Sequence, residues 1–109
     1  MLVLQAIPAP GRDAYKLLRA HIREASTWEW GNKAKTRLKH IQRPQGGHIA
    51  IASAAGVLVA HIHSKTASDQ FYLVEKFAGR LVAWFEQDLM AINIQIVAEP
   101  SAPRRRKRR

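Results

Sequence analysis

Residues 68–89 read SDQFYLVEKFAGRLVAWFEQDL, and their apolar positions recur with a helical period. At 3.6 residues per turn, Phe71, Leu73, Val74, Phe77, Ala78, Leu81, Trp84, Phe85 and Leu89 fall on one half of the wheel. Glu75, Lys76, Gly79, Arg80, Glu86 and Gln87 fall on the other. The split predicts an amphipathic helix with a broad buried side. Thr66 and Asp69 stand three apart, as in a capping box with Asp in place of Glu, and Ser68 is an alternative cap. No other segment offers as many large apolar side chains, so the rest of the chain is expected to pack on this helix.

Upstream, the period changes twice. Leu2, Val3, Leu4 and Ile7 predict a short strand or a strap over the core, ended by Pro8, Pro10 and Gly11. Asp13 then opens a helix to about Ala25, with Ala14, Tyr15, Leu18, Ile22 and Ala25 as its apolar stripe. From Trp28 the period is two. Trp28, Trp30, Ala34, Thr36 and Leu38 share one parity, and Lys33, Lys35, Arg37 and Lys39 fill the other without interruption. This predicts one strand with a basic ribbon on one face, two tryptophans opening its apolar face, and a bulge or bend at Gly31. A helix competes, because Ala34, Leu38 and Ile41 also sit at helical spacing, but the alternating basic residues favour the strand.

Residues 43–47, RPQGG, predict a turn. Residues 48–53 and 57–64 predict a hairpin closed by Ala54, Ala55 and Gly56, with Ile49, Ile51, Leu58, Ala60 and Ile62 toward the core. Beyond the long helix, Ile92, Ile94 and Ile96 alternate with Asn93 and Gln95 as a last, half-buried strand. The order is helix, three-stranded antiparallel meander, long amphipathic helix and final strand. It predicts an α+β fold with the helices on one face of an antiparallel sheet. One domain is expected over residues 1–98, followed by a disordered basic tail over residues 99–109.

Composition narrows the classes of function. The chain has 109 residues, enough for one core, and no cysteine, so disulfide and thiolate chemistry are excluded. No apolar run approaches the roughly 20 residues needed to span a bilayer. The N-terminus lacks the basic start of a signal peptide, so a soluble cytoplasmic protein without membrane association is expected. The net charge is +10, and the closing RRRKRR contributes six of it. Such a balance favours a polyanionic partner.

Over residues 44–94 a glycine-closed hairpin, a short link ending in Asp69, a long helix rich in Leu and Phe, and a closing strand follow one another. With the first helix, which bears Tyr15, Leu18 and His21, this layout resembles a small bacterial family, domain-of-unknown-function family 2218. The resemblance implies the α+β fold and a bacterial source. Members of that family occur beside siderophore and iron-uptake proteins, and the resemblance implies no site residue. The basic ribbon and the arginine tail are not part of the family's pattern.

The candidate chemistry is chiefly electrostatic. There is no G-x-S-x-G motif, no phosphate loop at a helix start and no activated serine, so a non-enzymatic binding domain is expected. Arg12, Lys16, Arg19 and Arg23 line one helix flank, and Lys33, Lys35, Arg37 and Lys39 line the ribbon. Together they point to sequence-nonspecific binding of an RNA or DNA backbone, with Trp28 and Trp30 placed either to stack bases or to fill the core. The alternative for these cations is a solvated face.

A second reading is a metal or small-ligand site, with zinc or a similar ion as the one candidate cofactor. His61 and His63 share a strand face, and a two-residue hairpin loop would add His48. The alternative there is a set of solvent-facing histidines. A third reading is a homodimer through Leu73, Phe77 and Trp84, along one edge of the long helix's apolar arc.

Overall fold

The computed structural model describes residues 1–97. Its elements are β1 (Leu2–Pro8), α1 (Ala14–Ile22), β2 (Trp28–Trp30), β3 (Arg37–His40), β4 (His48–Ala54), β5 (Val57–His63), α2 (Ala67–Phe85) and β6 (Leu89–Ile96). The strands form one sheet in the order β2-β3-β4-β5-β1-β6, and every neighbouring pair is antiparallel. The expected α+β architecture is the observed one. The N-terminal segment is a strand in the body of the sheet rather than a strap, because β5 and β6 pair with its two sides. β5 and β6 therefore run parallel with β1 between them and α2 as their crossover. This is the split β-α-β connectivity of ferredoxin-like sheets, extended at one edge by the β2–β3 hairpin.

Directly paired residues in antiparallel strands share a face. Leu4 and Ala6 of β1, Leu58, Ala60 and Ile62 of β5, Ile49 and Ile51 of β4, Leu38 of β3 and Trp28 of β2 all turn to the helix side and are buried. Ala14, Leu18 and Ile22 of α1 and Leu73, Val74, Phe77, Leu81 and Phe85 of α2 close on them. The Trp28 ring meets Phe77 edge-on at 5.7 Å, so the first residue of the expected ribbon is a core residue. The helices touch each other where His21 stacks 4.3 Å from Trp84.

Local signals set the helix starts. Asp13 caps α1 by accepting the Lys16 N–H, and Thr66, not Ser68, caps α2 by accepting the Asp69 N–H at 3.0 Å. Asp69 itself turns to Arg43, 3.2 Å away. The hairpin loop is the two residues Ala55 and Gly56, both at positive φ (53° and 83°), as a type I′ turn requires.

Three expectations are corrected. Residues 28–39 are not one strand: β2 and β3 are a hairpin pairing Trp28 with His40 and Trp30 with Leu38, and residues 31–36 turn between them. The dimer edge assigned to Leu73, Phe77 and Trp84 does not exist as a free surface. Leu73 and Phe77 are fully buried, and Trp84 is half-buried against His21. Phe71, expected on the buried side, is instead 63% exposed. The expected tail at residues 99–109 lies outside the described residues. No helix among the described residues is long and apolar enough to cross a membrane.

Candidate functional site

α1 exposes Lys16, Arg19 and Arg23 along one flank, because its other side is spent on Ala14, Leu18 and Ile22. The β2–β3 turn brings Lys35 to the same place. These four cations and Ala20 line a surface cleft of about 450 Å³. Of the four ribbon cations, Lys35 is the one that joins the flank.

The turn is held by a specific set of bonds. Asn32 accepts the backbone N–H of Thr36 (3.1 Å) and of Arg37 (3.0 Å) on its side-chain oxygen, and its amide donates to the Thr36 hydroxyl at 2.7 Å. Tyr15 donates its O–H to the Lys35 carbonyl at 3.0 Å. Lys35 sits at φ +57°, in the left-handed region that disfavours side chains with a Cβ. Sequence reading missed Tyr15 and Asn32 as site residues. The one available signal was an asparagine among turn residues, whose side chain bonds backbone a few residues on.

Arg12 leaves the group. It pairs with Asp88 at 3.3 Å and ties the start of α1 to the start of β6. The two ion pairs between described side chains are Arg12–Asp88 and Arg43–Asp69, so neither neutralises the cleft. Lys33 is exposed in the turn.

Arg37 and Lys39 lie on the other face of the sheet, which no helix among the described residues covers. Lys39 stands directly opposite Glu29. With Gly31, Pro44, Gln45, Gly47 and His48 the two cations line a separate hollow of about 320 Å³. Lys35 and Arg37 are two residues apart, so the turn links the cleft to this open face at a Cα separation of about 7 Å or less.

The histidines also divide. The two-residue loop places His48 opposite His63, and their rings stack 4.9 Å apart. His61 pairs instead with Ala50 on the same open face. No set of three His, Asp or Glu side chains is arranged to hold a metal ion among the described residues, so the expected triad of His48, His61 and His63 reduces to a pair. Burial, then the neighbouring His63, Arg37 and Lys39, lowers the His48 pKa below its ordinary 6.5. The lowered pKa favours the neutral form of His48.

Neither tryptophan is free to stack a base. Trp28 is sealed in the core, and Trp30 packs against Tyr15 with ring centroids 6.4 Å apart. A third cationic group, unforeseen in the sequence, surrounds His40: Arg43 lies 3.9 Å over the Tyr72 ring, with Lys76 5.6 Å from it. His40 is buried, its Nδ1 accepts the Gln42 N–H at 3.3 Å, and its pKa is lowered by burial and then by Lys76, Arg43 and Arg80.

The chain matches no protein-family model, no curated protein and no solved structure.

Proposed function

We propose that this domain binds the phosphate backbone of nucleic acid, without sequence preference, through Lys16, Arg19, Arg23 and Lys35. The observation that carries this reading is the cleft of about 450 Å³ lined by four cations and no carboxylate. Like charges gathered from a helix and a strained turn repel one another, and a polyanion relieves that repulsion in proportion to the phosphates it brings. Backbone contacts fix register and orientation but read no base, and no exposed aromatic ring stands beside the cleft to stack one. Arg37 and Lys39, reached across the turn from Lys35, extend the path onto the open sheet face. The arginine tail adds attraction at longer range.

The test is fluorescence anisotropy with unrelated single-stranded and duplex oligonucleotides at about 50 mM salt. The full chain binds all of them with similar affinity, and the double reversal Arg19→Glu/Lys35→Glu weakens all of them alike. Binding that survives this reversal unchanged would move the site to the tail. No binding at that salt would end the reading.

A further inference from the structure

β6 is an edge strand, and it lacks the features that keep edges solitary. Its eight residues, LMAINIQI, include no charge and no proline, in a chain whose net charge is +10. Ile94 is 51% exposed, Ile96 88% and Met90 66%, and α2 adds Val82, 50% exposed, above the same edge. Val82, Leu89, Met90 and Ile92 line a hollow of about 230 Å³ there.

The backbone is equally unpartnered. Met1 and Val97 exchange both of their hydrogen bonds, Met1 N to Val97 O at 3.1 Å and Val97 N to Met1 O at 2.9 Å. Bonded and non-bonded pairs alternate along an antiparallel ladder, so Gln95, Asn93 and Ala91 also turn toward β1. The N–H and C=O groups of Ile92, Ile94 and Ile96 then point out of the sheet. The residues with exposed apolar side chains are thus the ones with free backbone groups, and a row of both kinds is complementary to another strand of the same pattern.

We infer that β6 pairs with β6 of a second copy of this chain, antiparallel about a two-fold axis at Asn93, to form one twelve-stranded sheet. That axis stands perpendicular to the sheet, so both helix layers lie on one side and paired residues come from like faces. Ile92 then meets Ile94 of the second copy and Met90 meets Ile96, while Leu89 lies past the bulge at which β6 shifts register against Ile7 and Pro8. Eight residues at about 3.4 Å each give an edge about 27 Å long. A strand with a helix layer above it is roughly 20 Å deep, so each copy offers about 500 Å² and the pair about 1,000 Å², the lower bound of a specific interface.

The uncharged edge supports the second copy as the occupant: LMAINIQI paired with itself buries no ionic group, so the contact carries no charge-desolvation cost. The contact is independent of the cationic cleft, which gathers around the β2–β3 turn at the other edge of the sheet.

Sedimentation velocity on the full chain tests it, together with two variants. The unsubstituted protein sediments as a dimer at micromolar concentration. Ile94→Lys, which sets two ammonium groups near the axis, sediments as a monomer with an unchanged far-ultraviolet circular dichroism spectrum. In a chain without cysteine, Asn93→Cys places two thiols in a non-bonded pair with Cα atoms about 4.5 Å apart, within disulfide reach. It oxidises to a covalent dimer faster than the exposed control Ser26→Cys. A monomer at high micromolar concentration overturns the inference, as does Asn93→Cys oxidising no faster than the control, which would place any dimer on another face.

Discussion

The phenolic O–H of Tyr15 on α1 reaches the backbone carbonyl of Lys35 at 3.0 Å across twenty residues of chain. That bond fastens the β2–β3 turn to the helix and sets Lys35 among Lys16, Arg19 and Arg23. Replacing Tyr15 by Phe keeps the ring beside Trp30 and removes the donor. The expected loss is about 0.5–1.5 kcal/mol of unfolding free energy, read by urea titration. Oligonucleotide affinity falls with it, by less than for Lys35→Glu.

Lys35 holds a left-handed backbone that glycine adopts freely. Lys35→Gly should therefore raise stability by about 1 kcal/mol while weakening nucleic-acid binding. The log–log slope of affinity against salt should become shallower by about 0.7–0.9, the share of one phosphate. Opposite signs in the two measurements separate a strained functional residue from a merely structural one; a loss in both would contradict this account.

The cleft as a unit has a larger signature. Substituting Gln for Lys16, Arg19, Arg23 and Lys35 together should reduce the salt slope by about 3, four contacts at 0.7–0.9 each. Gln at Arg37 and Lys39 should cost less than half of that, since Lys39 already faces Glu29 and neither cation lies in the cleft. Anisotropy titrations across a series of salt concentrations check both.

His40 makes stability depend on pH. Its folded-state pKa is depressed below 6.5 by burial first and by Lys76, Arg43 and Arg80 next, so the folded protein holds it neutral. The unfolded chain takes up a proton there as pH falls through about 6.5, and the native state does not, so stability declines from that pH downward until the folded pKa is passed. His48 has the same sign. His40→Asn keeps an acceptor for the Gln42 N–H and should flatten part of the decline, measured as urea midpoints above and below pH 6.5. An unchanged decline would show that His40 is not its source.

Gly47 has φ +112°, and a Cβ there would run into the carbonyl oxygen of His63. Gly47→Ala should destabilise by about 1–3 kcal/mol, because the obstacle is backbone at the end of β5 rather than a side chain that can swing away. Thermal unfolding measures the loss, and the His48–His63 stacking beside it should loosen, seen as shifted imidazole resonances.

Much of the fold was legible in the chain. The periods of α1, α2, β4, β5 and β6 follow from which residues must leave water, and the caps Asp13 and Thr66 from their side-chain oxygens. The strand alternation of residues 28–39 misled because period two continues on paper through a turn. Asn32 and its bonds to Thr36 and Arg37 reverse the chain there without disturbing the pattern of residue types. Phe71 misled differently: it lies on the apolar half of its helix yet is 63% exposed, because the helical period fixes a direction around the axis and not whether a neighbour stands there.

The site divides along the same line. The helix flank of Lys16, Arg19 and Arg23 could be read directly, because spacings of three and four are local geometry. That Lys35 joins it, that Arg12 is taken by Asp88, that Arg37 and Lys39 face the other way, and that His48 stacks on His63 without His61 depend on strand register and packing. By itself the sequence determined the helices, the strands near the hairpin, the apolar inventory and the excess of positive charge, since these depend on each residue and its near neighbours. The tertiary structure alone decided which cations share a surface, which tryptophans are sealed and which strand is left at the edge. Those outcomes rest on contacts between residues far apart in the chain, and no local pattern encodes which distant partner wins.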